Sequence, residues 1–184
     1  MKKAVHEIKR PEGVIFDLGG VLLAFDHMDV CRALGRLSGK TPDEVYGRIF
    51  KSGLEEAYDK GLPTWEFYHE ALKRLGMNIP FDEFSRIWCG IFTEKNDVIE
   101  ILASLKGRTR LFLLSNTNEL HFEFARKKFP FLDNTFDALF LSYRLGLRKP
   151  EPEIYEAVII SSGIDPSNLF FTDDKPDYAD AAKK

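Results

Sequence analysis

Gly13-Val-Ile-Phe-Asp17-Leu-Gly19-Gly20 is the stretch on which the reading of this chain turns. Val14, Ile15 and Phe16 form a short apolar run, which suits a strand buried on both faces. The run ends on an acid and opens into Leu18-Gly19-Gly20, a glycine-rich turn. A buried strand that delivers a carboxylate to a tight turn poses a question for the rest of the chain. What else ends where this strand ends?

Outward from there, residues 26–97 change pattern. Apolar residues recur at helical spacing, and turn signals divide the segment into five helices: Met28 to Leu37, one opened by Pro42 with Thr41 as its N-cap, Leu54 to Lys60, Thr64 to Leu75 stopped by Gly76, and Phe81 to Ile91. Beyond residue 97 strands and helices alternate. Val98 to Leu105 reads as a helix, Thr109 to Leu114 as a strand, Glu119 to Phe129 as a helix before Pro130, and Ala138 to Leu141 as a strand. Glu151 to Ser162 reads as a helix before Gly163, and Asn168 to Phe171 as a last strand. Alternation of this kind implies an α/β fold: a mostly parallel sheet with helices on both faces. The expected division is a discontinuous core, residues 1–25 and 98–184, interrupted by an all-α helical insertion, residues 26–97.

Composition narrows the function. Of 184 residues 44% are hydrophobic and 30% charged, an ordinary globular balance that excludes a disordered chain. No apolar run reaches the ~18 residues a membrane helix needs, so no membrane partner is expected. A net charge of −3 lacks the basic footprint of a dedicated nucleic-acid binder. The opening MKKAVHEIKRPEG has lysines but no apolar stretch behind them, so export is not expected. Cys31 and Cys89 form no CxxC pattern and sit in apolar helical contexts, which points to buried inert thiols and a reducing, cytoplasmic setting.

In open parallel sheets, ligands bind beyond the carboxyl ends of the strands. The strand ends here carry Asp17, Ser115-Asn116-Thr117, and Asp173-Asp174, with Arg148-Lys149-Pro150 in the loop before a helix. Taken singly, each is ordinary: a strand-terminal Asp usually caps or turns, and Ser-Asn-Thr is common loop chemistry. Together they would converge two or three carboxylates, a hydroxyl, an amide and an ammonium on one crevice. Like charges so close need neutralising. A hard divalent cation with oxygen ligands does this, and Mg2+ with phosphate is the common pairing. The Lys149 ammonium and the Ser115 hydroxyl suit phosphate oxygens.

VIFDLGGVLL, LFLLSNTN, LGLRKPEPEIY and LFFTDD resemble, in order, the four motifs of the haloacid dehalogenase superfamily. The resemblance covers nearly the whole chain and is strongest to its helical-cap phosphatases of the glucose-1-phosphate phosphatase type. It implies a Mg2+-dependent phosphatase with a Rossmann-like core and a mobile cap, acting on a small phosphorylated molecule such as a sugar phosphate. Asp17 then resembles the nucleophile that becomes an aspartyl phosphate. Ser115 matches the hydroxyl that binds the transferring group, with Asn116 beside it at the substrate, and Lys149 matches the lysine that steadies nucleophile and intermediate. Asp174 matches the direct metal ligand, Asp173 the second acid, and the Gly19 carbonyl the backbone ligand. A monomer or homodimer is expected.

The sequence departs from the family pattern in two places. Where the family carries a second Asp, as general acid and base, this chain has Gly19; such help is typically worth ~10²–10⁴-fold. Asp26 is a candidate replacement, although a helix-start role suits it better, and His27 and His121 read as surface residues at helix starts. The chain also ends where family members continue for a helix and one more strand, so the C-terminal end of the core reads as truncated. Two rival readings remain: a 2-haloacid dehalogenase, whose relatives lack the Asp173-Asp174 pair, and a catalytically weak binding or regulatory module.

Overall fold

The computed structural model describes residues 10–184; the stretch read for export signals lies mostly outside them, in residues 1–9. Strand β1 (Gly13–Phe16) leads through a turn into β2 (Leu23–Ala24). Five helices follow, α1 (His27–Ser38), α2 (Pro42–Ile49), α3 (Leu54–Asp59), α4 (Thr64–Leu75) and α5 (Phe81–Cys89), and then β3 (Thr93–Glu94). The remainder alternates: α6 (Asn96–Leu105), β4 (Arg110–Ser115), α7 (Glu119–Lys128), α8 (Phe131–Asn134), β5 (Ala138–Leu141), α9 (Ser142–Leu145), α10 (Pro152–Ser162), β6 (Leu169–Thr172) and α11 (Pro176–Ala181).

β1, β4, β5 and β6 form one parallel sheet in the order β5-β4-β1-β6. The register places Phe16 beside both Leu113 and Thr172, so β1 and β6 end together and β4 runs two residues further, to Ser115. The period of two along the strands sorts the core. Val14, Phe16, Leu111 and Leu113 face the large cluster that includes Phe122 and Ala125 of α7 and runs on into the helical insertion. Ile15, Phe112 and Leu114 face Ile154 and Val158 of α10 on the other side.

The insertion is entered and left through β2 and β3, which pair antiparallel with Leu23 opposite Glu94 and Ala24 opposite Thr93. This ribbon is absent from the sequence reading, which made the insertion all-helical. Two chain crossings that run side by side satisfy their backbone groups on each other, and two residues per strand give no periodic signal. The helix boundaries carry their expected signals. Thr41 caps α2 in a capping box with Glu44, and α4 stops at Gly76 in the left-handed conformation. Among the described residues no helix is long and apolar enough to cross a membrane.

Candidate active site

Asp17 follows directly on β1, and its amide N–H donates to the Thr172 carbonyl at 3.0 Å, which ties the end of β1 to the end of β6. The carboxylate is 7% exposed. Lys149, reached through the loop after α9, is 1% exposed and places its Nζ 2.8 Å from Asp17 Oδ1 and 2.5 Å from Asp173 Oδ2. Its ammonium also lies 5.3 Å from the centre of the Tyr178 ring. A buried lysine needs partners of this kind, because its desolvation is otherwise uncompensated. One ammonium against a set of carboxylates still leaves the site short of positive charge. Burial pushes the Asp17 carboxyl up to about 6; Lys149 opposes the shift and Asp173 adds to it.

Carboxylate oxygens of Asp17, Asp173 and Asp174 all lie within 4.8 Å of one another. That separation lets one small hard cation touch all three, at oxygen-ligand distances of ~2.0–2.6 Å. Gly20 explains how Asp174 comes so close. Its φ is +79°, and a Cβ there would stand 2.3 Å from the Asp174 carboxylate, so only glycine fits the turn. Gly19, whose carbonyl was expected at the metal, lines the same cavity.

Ser115 ends β4, is 2% exposed and opens onto this cavity. Asn116 also lines it, but its amide is committed: Nδ2 donates to the Lys149 carbonyl at 2.9 Å, and Oδ1 accepts from the Lys149 N–H at 2.8 Å. Expected at the substrate, it also brackets the backbone of Lys149. Asp26, the candidate replacement acid, accepts from the Met28 N–H at 2.8 Å as the N-cap of α1 and pairs with Arg32 at 3.1 Å. It is exposed and is not among the residues lining the cavity.

The histidines are not the surface residues expected of helix starts. His121 is 6% exposed because α5 covers the start of α7. It stacks on Trp88 with ring centres 5.0 Å apart, and Nε2 lies 3.0 Å from the Trp88 carbonyl. The Asn118 amide Nδ2 reaches Nδ1 at 3.2 Å, which assigns the neutral tautomer protonated at Nε2. Burial agrees, holding the ring down to about 3. Asn118 itself is fully buried. It caps α7 by accepting from the His121 N–H at 3.1 Å, receives the Trp88 indole N–H at 3.4 Å and donates to Asp59 at 3.1 Å. His27 is half-buried and stacks on Phe50.

The cavity has a volume of about 270 Å³. Asp17, Ser115 and Lys149 form its floor, and residues of the insertion face them. One wall is aromatic, with Phe25, Tyr46, Phe50 and Phe92; another is charged, with Glu55, Asp59 and Arg148. Tyr58 and Trp88 are instead core residues of the insertion, and Trp65 is exposed. The sequence reading missed the charged wall. Burial pushes the carboxyls of Glu55 and Asp59 up, and their mutual repulsion adds to it for Asp59. Arg148 reaches Glu56 at 3.3 Å and Asp59 at 3.8 Å. Cys31 and Cys89 are buried free thiols, pushed by burial up to about 11 and about 12.

Comparison with known proteins agrees with this geometry. The family model of the haloacid dehalogenase-like hydrolases matches residues 11–184. The chain belongs to that family. D-ribitol-5-phosphate phosphatase of Bacteroides thetaiotaomicron is 29% identical to this family member over 171 residues, 89% of this chain and 82% of that protein. A haloacid dehalogenase family enzyme of the same organism, solved in complex with magnesium and inorganic phosphate, superposes with a TM-score of 0.85. It is 27% identical, over 94% of this chain and 89% of that chain. L-2-haloacid dehalogenase of Xanthobacter autotrophicus shares the fold, with a TM-score of 0.66 at 21% identity over 94% of this chain and 74% of that chain.

Proposed function

We propose that this hydrolase is a Mg2+-dependent phosphatase that cleaves the phosphate ester of a small metabolite through an aspartyl phosphate on Asp17. The observation that carries the reading is the meeting of Asp17, Asp173, Asp174 and Lys149 at one cavity floor. A trio of acids with one ammonium suits a cation-assisted reaction on an anion, whereas halide displacement from carbon needs no such acid pair.

Asp17, Asp173, Asp174 and the Gly19 carbonyl would hold the metal, which when bound supplies positive charge to the carboxylates and the phosphoryl oxygens. The rest is the work of the chain. Asp17 attacks phosphorus, and the leaving oxygen departs on the opposite side. Lys149, 2.8 Å from the nucleophile, keeps it ionised and neutralises charge on the transferring group. The Ser115 hydroxyl donates to a phosphoryl oxygen, and Asn116 fixes Lys149 through its backbone.

We read residues 26–97 as a cap over a core of residues 1–25 and 98–184, and the chain as cytoplasmic, which its buried free thiols suit. A polyol or sugar phosphate fits best. The cavity is small, Glu55 on its wall offers an acceptor to hydroxyl groups, and a relative dephosphorylates ribitol 5-phosphate.

The test is hydrolysis of p-nitrophenyl phosphate with Mg2+ and with EDTA, for the parent protein and Asp17→Asn. Turnover that needs both the metal and Asp17 is expected. Turnover in EDTA, or in Asp17→Asn at the parent rate, overturns the reading. A panel of polyol and sugar phosphates then ranks the substrates.

A further inference from the structure

We propose that His27 is the general base of the second half-reaction, taking a proton from the water that hydrolyses the aspartyl phosphate on Asp17. The inference rests on the phosphatase reading above and assigns to a residue of the insertion part of the work that Gly19 cannot do.

Displacement at phosphorus requires entering and departing oxygens roughly in line. The water must therefore approach from the side away from Asp17, where the insertion closes the cavity, and its proton acceptor must stand on that wall. Several groups there are already engaged. His121 has both ring nitrogens occupied, by Asn118 and by the Trp88 carbonyl. Asp59 accepts from Asn118 and faces Arg148, and Asp26 caps α1 away from the cavity.

His27 differs from all of these. It lines the cavity together with Asp17 and Ser115. Its ring stacks on Phe50 with centres 4.5 Å apart and planes at 23°, and it meets Phe25 at 4.9 Å. Phe25 is the side chain that fills the space beside Gly19. The imidazole thus stands one ring away from the position where the family's acid would be. Among the described residues neither ring nitrogen of His27 has a hydrogen-bond partner. Among those residues Ser38 Oγ and Arg148 Nε are the only unpartnered side-chain polar atoms fully hidden from solvent, so the His27 nitrogens are open to it.

The charged and titratable groups that act on the ring are Lys175 and, more weakly, Asp26, with His121 beyond. Burial and Lys175 hold the imidazole down to about 4, so the ring is neutral at pH 7. The water oxygen forms a bond to phosphorus, the P–O bond to Asp17 breaks, and its electron pair returns to the carboxylate. The water proton passes to a ring nitrogen of His27, and the imidazolium then releases it to bulk water.

His27→Gln removes the base, and His27→Phe removes it while keeping the stack on Phe50. Both are assayed in stopped flow with p-nitrophenyl phosphate and Mg2+, whose leaving group needs no acid. Both variants should lose ~10²–10⁴-fold in kcat and still release about one p-nitrophenolate per site in the first turnover. Acid-quenched protein should then carry phosphate, and imidazole in the buffer should speed His27→Gln. A kcat within a few-fold of the parent in His27→Phe overturns the proposal, as does a fall in kcat with no burst. A parent protein that hydrolyses nothing would instead overturn the phosphatase reading, a separate outcome.

Discussion

Phe25 occupies the space that a side chain on Gly19 would need: a Cβ built on Gly19 would lie 2.7 Å from Phe25 Cε1. The obstacle is the end of a side chain that is 37% exposed, so it can swing aside at a cost. Gly19→Asp alone should therefore gain little on primary alkyl phosphates. Combined with Phe25→Ala it should gain up to ~10²-fold on them and nothing on p-nitrophenyl phosphate. Measured kcat/KM for both esters decides this, and equal gains for the single and double variants would show that Phe25 does not stand in the way.

Asp17 is raised to about 6 in the fold against 3.8 for a free carboxyl. The folded state then holds its proton longer than the unfolded chain, so unfolding releases a proton between about pH 4 and pH 6. Metal-free protein should lose stability from this group as pH rises through that window. Mg2+ binds the ionised site, so its stabilisation should grow over the same window. Melting curves at each half pH unit, with EDTA and with Mg2+, test this; Asp17→Asn should flatten the metal-free slope.

Asn116→Ala removes both bonds to the Lys149 backbone. A displaced Lys149 should lower kcat by about 10²-fold and stability by about 1–3 kcal/mol. Asn116→Asp, which keeps the acceptor and loses the donor, should fall between. Urea titrations and steady-state kinetics on the same preparations separate the two effects.

Asp26→Asn should do almost nothing. Asn caps a helix as well as Asp, and a solvent-screened pair such as Asp26–Arg32 contributes little. A selective loss on alkyl phosphates would contradict the helix-cap role.

The floor of the site was legible in the sequence because it follows from local chain properties. Asp17, Ser115 and Asp173 each end a strand, and parallel neighbours align their ends. The walls were not. Glu55 and Asp59 lie four residues apart on α3, one face of a short helix, and that spacing was an available signal. Nothing local says that this face turns toward β1, since the docking of the insertion decides it. Asn116 has the composition of a substrate ligand, and only the path of the Lys149 loop gives it another task. His121 lost its exposure to α5, an element thirty residues earlier. Phe25 beside Gly19 joins two residues whose relation no spacing rule anticipates.

The contacts of Asn118 bear on how a substrate gets in. Drawing α3 and α5 away from α7 would strand, in the same movement, the carboxylate of Asp59 and the indole N–H of Trp88, and would part His121 from the Trp88 carbonyl. Each of these groups costs ~1–3 kcal/mol while it has neither its old partner nor water. A partial opening that admits no water is then disfavoured. The protein should be found shut or fully parted, with a barrier between, so entry and release follow a discrete event and not a graded widening.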